Sequence, residues 1–436
     1  MSIPKLSAHY FFLFFLFACS TQETASLKPE LAVLNASYDN TKGAVEQTSF
    51  GKVDQLFDSY IAKKNIPGAA VLIASKGKVV YKAAAGWQDV ATKSPLAIDH
   101  IFRIASMTKP ITSVAILQLY EKGSLKLTDP VSKYIPEFKS PKILTSFDQA
   151  TGTWKSQPAQ SEITIHQLLT HTSGIGYGFE SKTLKSIYTK HKIPDLPTHL
   201  PFLLADKMSE LGQLPILHEP GKAWSYGLSH DVLGRVVEVV SGQPLDQYFE
   251  ESIFKPLGMS STGFFLDAQS AKRLVKPYHI QRQQLAPLPD LPNDLYAPDY
   301  PVNGAKRYFS GGSGLCSTVE DYFQFCQALL NGGELNGKRI LKPATVALMT
   351  SNQIGAINPK YGEKYGYGVK VTVRKNNNAL NQLPGRYGWS GAFHTTFWVD
   401  PEREAIAIMM SQVLWNPHDR EINRNFERLV NEALTQ

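Results

Sequence analysis

The rhythm of apolar and polar positions changes several times along the chain, and each change predicts an element. Val53, Leu56, Phe57 and Ile61 recur at helical spacing and predict an amphipathic helix. Residues 68–74 and 79–84 are short runs rich in β-formers around Ser75-Lys76-Gly77-Lys78, which predicts a hairpin. An apolar approach then ends at Ser106, and Ile111, Ala115, Ile116 and Leu119 follow at helical spacing. Ser106 fits an N-cap, and Pro110 falls in the first turn, where a missing N–H does no harm. Leu127-Thr128-Asp129-Pro130 closes that helix, and residues 131–135 begin a new turn.

From there to about residue 311, helical segments and Pro-rich loops dominate, with few clear strands. Residues 163–169 predict a helix ended by Thr170-His171-Thr172-Ser173-Gly174-Ile175. Residues 182–214 predict irregular helix broken at Pro194, Pro197 and Pro201, and 231–241 a helix stopped by Gly242. Residues 277–300 form a Pro-rich loop long enough to be a binding rim. The rhythm changes back at Ser310-Gly311-Gly312-Ser313-Gly314-Leu315. Ser317-Thr318-Val319-Glu320 predicts a helix start with Glu320 in the capping-box position, and Asn331-Gly332-Gly333 stops that helix. Residues 366–373, 393–399 and 405–410 predict strands, with Asp400-Pro401-Glu402-Arg403 as the turn joining the last two, and 422–434 a terminal helix. Strands at both ends with helices between them predict an α/β (α+β) fold. One sheet, about 48–125 and 311–436, is flanked by terminal helices. An all-helical layer of about 126–310 is inserted into it, and a cleft between the layers holds Ser106.

The chain has 436 residues and a formal charge of +7, small for that length and scattered. A loose basic run around 272–282 is a solvated loop on this reading, so no nucleic-acid partner is expected. The first residues change the picture more. Lys5 and His9 precede an apolar run over 10–17 that is too short to span a bilayer and suits a secretory h-region. It ends in Leu16-Phe17-Ala18-Cys19, which resembles the bacterial lipobox, whose cysteine is lipidated. The expectation is a signal peptide over 1–18, a lipid anchor on Cys19, a polar tether over 19–47 and a hydrolase domain over 48–436. The chain is then an exported lipoprotein of the bacterial cell envelope, facing the periplasm from the outer membrane. Cys316 and Cys326, ten apart in a helical pattern, are expected to be buried and unbridged.

The candidate chemistry centres on Ser106 and Lys109, i and i+3 on one helix face. A serine hydroxyl needs a base beside it, and a lysine amine can be that base where burial or a nearby cation lowers its pKa. A helix N-terminus adds positive potential where an oxyanion forms. Ser-x-x-Lys also occurs from Ser2, Ser49, Ser75 and Ser252, but Ser106 stands at a loop-to-helix junction before a long apolar helix. His166 and His171 are five apart, so their side chains diverge and a metal site is not expected. His394 either lines the site or points away from it. No Gly-x-Ser-x-Gly elbow occurs; Gly388-Trp389-Ser390-Gly391-Ala392 comes nearest, with too little chain after it for the rest of an α/β-hydrolase triad.

Four stretches together resemble the serine β-lactamase and penicillin-recognising superfamily, in the class C-like branch that includes D-alanyl peptidases and family VIII-type esterases. They are Ile104-Ala105-Ser106-Met107-Thr108-Lys109, Ile165-His166-Gln167-Leu168-Leu169-Thr170-His171-Thr172-Ser173-Gly174, Pro256-Leu257-Gly258-Met259 and Trp398-Val399-Asp400-Pro401. The resemblance runs from about Val53 to the C-terminus. It implies an antiparallel sheet with helices on both faces plus a helical domain. It places Tyr226 at the family's Tyr-x-Asn tyrosine, with Leu228 in place of the asparagine. It places Trp389-Ser390-Gly391 at the Lys-Thr-Gly strand, and it implies an oxyanion hole from the N–H groups of Ser106 and Ala392.

Trp389 and Leu228 stand where the family grips a carboxylate and an amide, and neither can do so. Ser106, Lys109 and Tyr226 remain as acylation machinery. The expectation is therefore a serine hydrolase that acts on carboxylic esters, small-molecule acyl esters, through an acyl-enzyme, with no cofactor. The alternatives are a β-lactamase or D-alanyl-D-alanine carboxypeptidase, or a non-catalytic binding protein on the same fold.

Overall fold

An eight-stranded sheet runs through the computed structural model, which describes residues 50–435 except 292–294, 358, 360–363, 374–379 and 381. The signal segment, Cys19 and the tether lie outside the described residues. In spatial order the strands are Lys364–Tyr365, Lys370–Val371, Tyr387–Gly391, Thr395–Asp400, Ala405–Met410, Gly68–Ser75, Lys78–Asp89 and Ser94–Pro95. Neighbours are antiparallel throughout. The N-terminal hairpin docks beside the last strand, with Ala70 opposite Met410 and Gly68 opposite Gly86. Lys76 and Gly77 turn that hairpin with φ of 51° and 73°, the left-handed pair a two-residue turn requires.

Side chains alternate across a strand, and here both faces are covered. Ala69, Val71 and Ile73 pack with Val53, Phe57, Ile422 and Phe426 of the Gly51–Ala62 and Asp419–Leu434 helices. Ala70, Leu72 and Ala74 face the opposite way, into the core that holds Ile111, Val114 and Leu117. The Thr108–Glu121 helix is buried from Thr108 to Leu119. Its polar residues therefore need internal partners. Thr112 Oγ1 donates to Gly311 O at 2.6 Å, and Ser113 Oγ lies 3.1 Å from His230 Nε2. Among the described residues no helix is long and apolar enough to cross a membrane.

Several expectations need correction. Ser106 is not an N-cap: it sits inside a single 3-10 turn, Ala105–Met107, and Met107 precedes the helix without a side-chain cap. The inserted layer carries two hairpins, Lys142–Asp148 with Thr153–Pro158 and Tyr278–Gln281 with Gln284–Pro287. The second occupies part of the expected Pro-rich loop. The expected strand over 366–373 is broken: Gly366 and Gly368 let the chain turn between Lys364–Tyr365 and Lys370–Val371. A Cβ on Gly366 would meet Met349 O at 2.2 Å, so the backbone there lies against another segment. The Val319–Leu330 helix is capped by Thr318, not Ser317, and the third residue after the cap, Asp321, bonds to Ser261 N and Thr262 Oγ1. Cys316 lies on a short strand rather than a helix; both it and Cys326 are buried and free.

Candidate active site

Three segments converge on Ser106. The first is its own approach. Ala105 has φ of 42°, a left-handed conformation that costs an alanine about 1 kcal/mol or more. The 3-10 turn it opens leads directly into the buried helix that carries Lys109. One turn of helix then sets Lys109 Nζ 3.1 Å from Ser106 Oγ.

The second segment comes from the inserted layer. Tyr226 precedes the Ser229–Ser241 helix and donates from Oη to Ser106 Oγ at 2.7 Å. Its ring lies 4.7 Å from Lys109 Nζ. Beneath the ring is an aromatic nest: His171 at 4.9 Å, Tyr177 at 5.1 Å and Trp389 at 5.7 Å. His171 is at φ of 56° and buried. Neither ring nitrogen has a hydrogen-bond partner among the described residues, and the ring packs against Tyr226. Burial, with Lys109 nearby, holds the His171 and His230 imidazoles well below the ordinary histidine pKa, so both are neutral. His166 is directed elsewhere, 2.9 Å from Tyr367 Oη.

The third segment is the Tyr387–Gly391 strand. A Cβ on Gly391 would lie 2.3 Å from Ile104 O and 2.4 Å from Thr395 Oγ1. Glycine is what allows this strand to run against the approach to Ser106. Ala392 follows at the end of the strand. Among the described residues, no backbone carbonyl accepts from the N–H of Ser106 or Ala392. Trp389 Nε1 points to Tyr226 Oη at 3.4 Å. Ser390 alternates to the other face, where its hydroxyl pairs with Thr396 at 3.2 Å. His394 turns away from the site: it is buried, with Nδ1 3.0 Å from Asn416 Nδ2 and Nε2 3.5 Å from Asp419. Leu228, two residues after Tyr226, is 1% exposed and packs in the hydrophobic core.

Residues with no signature in the sequence complete the arrangement. Lys109 Nζ also lies 3.0 Å from Tyr177 Oη and 2.8 Å from Gly312 O, so with Ser106 Oγ three oxygens surround it. Burial pushes the Tyr177 phenol well above its ordinary pKa, helped by nearby Tyr226 and Asp231, so it stays protonated. Gly312 is set by Asp231, whose Oδ1 accepts from Gly312 N at 3.3 Å and from Ser310 Oγ at 2.5 Å. Tyr177 follows a Ser-Gly loop and bears no spacing relation to Ser106. Asp231 sits in an ordinary helix start.

A family model described as Beta-lactamase matches residues 53–432. The chain belongs to that family. Within the Beta-lactamase family its relatives include Esterase EstB of Burkholderia gladioli, 31% identical over 386 residues, covering 84% of this chain and 91% of that one. Acyltransferase calJ of Penicillium decumbens is 32% identical, covering 77% and 81%. Among solved structures, EstCE1, a hydrolase with promiscuous acyltransferase activity, superposes with a TM-score of 0.75 at 28% identity, covering 88% of this chain and 98% of that chain. The antiparallel sheet flanked by helices is the fold of that structure. The chain is an esterase-like enzyme of this serine hydrolase family.

Proposed function

We propose that the chain hydrolyses carboxylic esters through an acyl-enzyme on Ser106. The observation that carries this reading is the pair of contacts on one oxygen: Tyr226 Oη at 2.7 Å and Lys109 Nζ at 3.1 Å from Ser106 Oγ. With Lys109 as the free amine, Oγ bonds to the ester carbonyl carbon as its proton passes to Nζ, the accepting end of the Lys109–Tyr226 relay. The carbonyl oxygen takes the negative charge and faces the N–H groups of Ser106 and Ala392. As the tetrahedral species collapses, the C–O bond to the alcohol breaks and the relay returns the proton to the leaving oxygen. Water then attacks the acyl carbon by the reverse sequence and frees the acid.

The surroundings favour esters over β-lactams and peptides. Trp389 supplies one N–H, already directed at Tyr226, where a cation would be needed to hold a carboxylate. Leu228 supplies an apolar side chain to the core. Hydrolysis of p-nitrophenyl butyrate by the purified domain, with a Ser106→Ala control and nitrocefin alongside, tests the reading. Nitrocefin turnover exceeding ester turnover would replace it with the β-lactamase reading.

We also propose that Cys19 carries a lipid that holds this domain at the bacterial envelope, facing the periplasm. That rests on the sequence of the first residues alone.

A further inference from the structure

Phe179 and Trp415 are large apolar side chains left 37% and 48% exposed, yet their rings lie 5.9 Å apart. They come from different parts of the chain, and each is one contact from the site. Phe179 stacks on Tyr177 at 4.5 Å, with the planes 20° apart, and Tyr177 accepts from Lys109. Trp415 donates its backbone N–H to Ala392 O at 2.9 Å.

Both positions are held firmly. The N–H of Gly178 donates to the buried Asp195 carboxylate at 2.7 Å, which fixes the turn carrying Phe179. Val413 N donates to Phe393 O at 3.0 Å, and Leu414 is buried beside Ala105 and Phe393. Trp415 itself has φ of 48°. A bulky side chain in the left-handed region is a backbone outlier, and such strain is kept where the surroundings enforce it. An exposed apolar ring held at that cost, beside the residue whose N–H faces the substrate carbonyl, points to a ligand.

We propose that Phe179 and Trp415 form an aromatic clamp for the acyl group of the substrate, and that the preferred esters carry an aryl-terminated or similarly bulky apolar acyl chain. This rests on the acyl-enzyme reading of Ser106. The assignment to the acyl half follows from where the leaving oxygen must go. That oxygen takes its proton beside Tyr226, whose hydroxyl is covered by Trp389. The clamp touches Tyr177 through Phe179 and the Ala392 carbonyl through Trp415, and neither contact involves Trp389. The proposal therefore sends the acyl chain from the carbonyl past Ala392, to which Trp415 is bonded. Ring-on-ring contact then favours aromatic groups beyond the area they bury.

The test uses p-nitrophenyl 3-phenylpropanoate and p-nitrophenyl acetate, which share a leaving group and differ in the acyl part. In the native chain kcat/KM for the arylalkanoate exceeds that for the acetate. The ratio falls about tenfold in Phe179→Ala and in Trp415→Ala, the order an aromatic contact supplies. Trp415→Phe keeps a ring and keeps most of the ratio, which separates loss of the clamp from loss of the fold. A ratio unmoved in both alanine variants, or an equal fall for both esters, overturns the clamp. Labelling of the native chain by a fluorophosphonate, read at Ser106 by peptide mass spectrometry, separates the two claims. A labelled chain with an unmoved ratio removes the clamp alone, and an unlabelled chain removes the acyl-enzyme reading with it.

Discussion

Lys109 Nζ lies 3.0 Å from Tyr177 Oη, and this contact separates the duties of the two phenols near Ser106. Tyr226 bonds to Ser106, the proposed nucleophile, at 2.7 Å. Tyr177, kept protonated by burial, accepts from the amine and positions it. On this division Tyr226→Phe removes a proton-transfer group and lowers kcat/KM by about 10²- to 10⁴-fold. Tyr177→Phe removes one of three oxygens around Nζ and costs about three- to tenfold, the scale of one hydrogen bond. Steady-state kinetics of both variants on one ester checks the order, and a larger loss for Tyr177→Phe would exchange the roles.

Gly391 offers a second test, because its replacement acts on geometry and leaves every charge in place. The added methyl of Gly391→Ala would sit 2.3 Å from Ile104 O, so the strand must move away from the approach to Ser106. Ala392 N moves with it. The loss of one aligned oxyanion donor is worth about 10²- to 10³-fold in kcat. The expected result is a fall of that order in kcat with the far-ultraviolet circular dichroism retained. Native kcat in this variant would show that the two N–H groups do not work as a pair.

Asp195 makes a prediction about stability and pH. Burial raises its carboxyl from 3.8 to about 6, against the pull of Lys185 and the Gly178 N–H. A folded-state pKa above the unfolded one means the folded chain binds this proton more tightly. The contribution to stability is therefore full below about pH 4 and is lost as pH rises through about 6. The loss amounts to about 3 kcal/mol, two pKa units at 1.4 kcal/mol each. Asp195→Asn keeps an acceptor for Gly178 N–H and removes the titration. Denaturant unfolding at pH 4 and pH 7 should show the variant gaining on the native chain as pH rises. Parallel pH profiles would rule out this assignment.

The first residues are tested independently of the catalytic site. In a bacterial host, Cys19→Ala should abolish labelling of the full chain by a clickable fatty acid and release the domain from the membrane fraction. Labelling retained in the variant would remove the anchor.

Much of this architecture could be read in the sequence because burial leaves a strong imprint. The 405–410 run is apolar at each position since both faces of that strand are covered, and its observed bounds, Ala405–Met410, coincide with the run. The Lys109–Ser106 contact was legible too, because helical geometry alone sets i and i+3 together. Tyr226 came from family resemblance, since its approach to Ser106 spans the two layers and leaves no local spacing. Tyr177, Gly312 and Asp231 escaped for the same reason: each meets Lys109 or its surroundings through tertiary packing. The hairpin Lys142–Asp148 with Thr153–Pro158 escaped because it is largely exposed and polar, so alternation gave little contrast.

The central claim is covalent, and intact-protein mass spectrometry tests it most directly. The domain is mixed with p-nitrophenyl 3-phenylpropanoate and quenched in acid within the first turnover. The account predicts a mass increase of one acyl group, mapped by peptide sequencing to Ser106 and missing in Ser106→Ala. Ester turnover at the native rate by Ser106→Ala, or an acyl group mapped to any other residue during turnover, would contradict it.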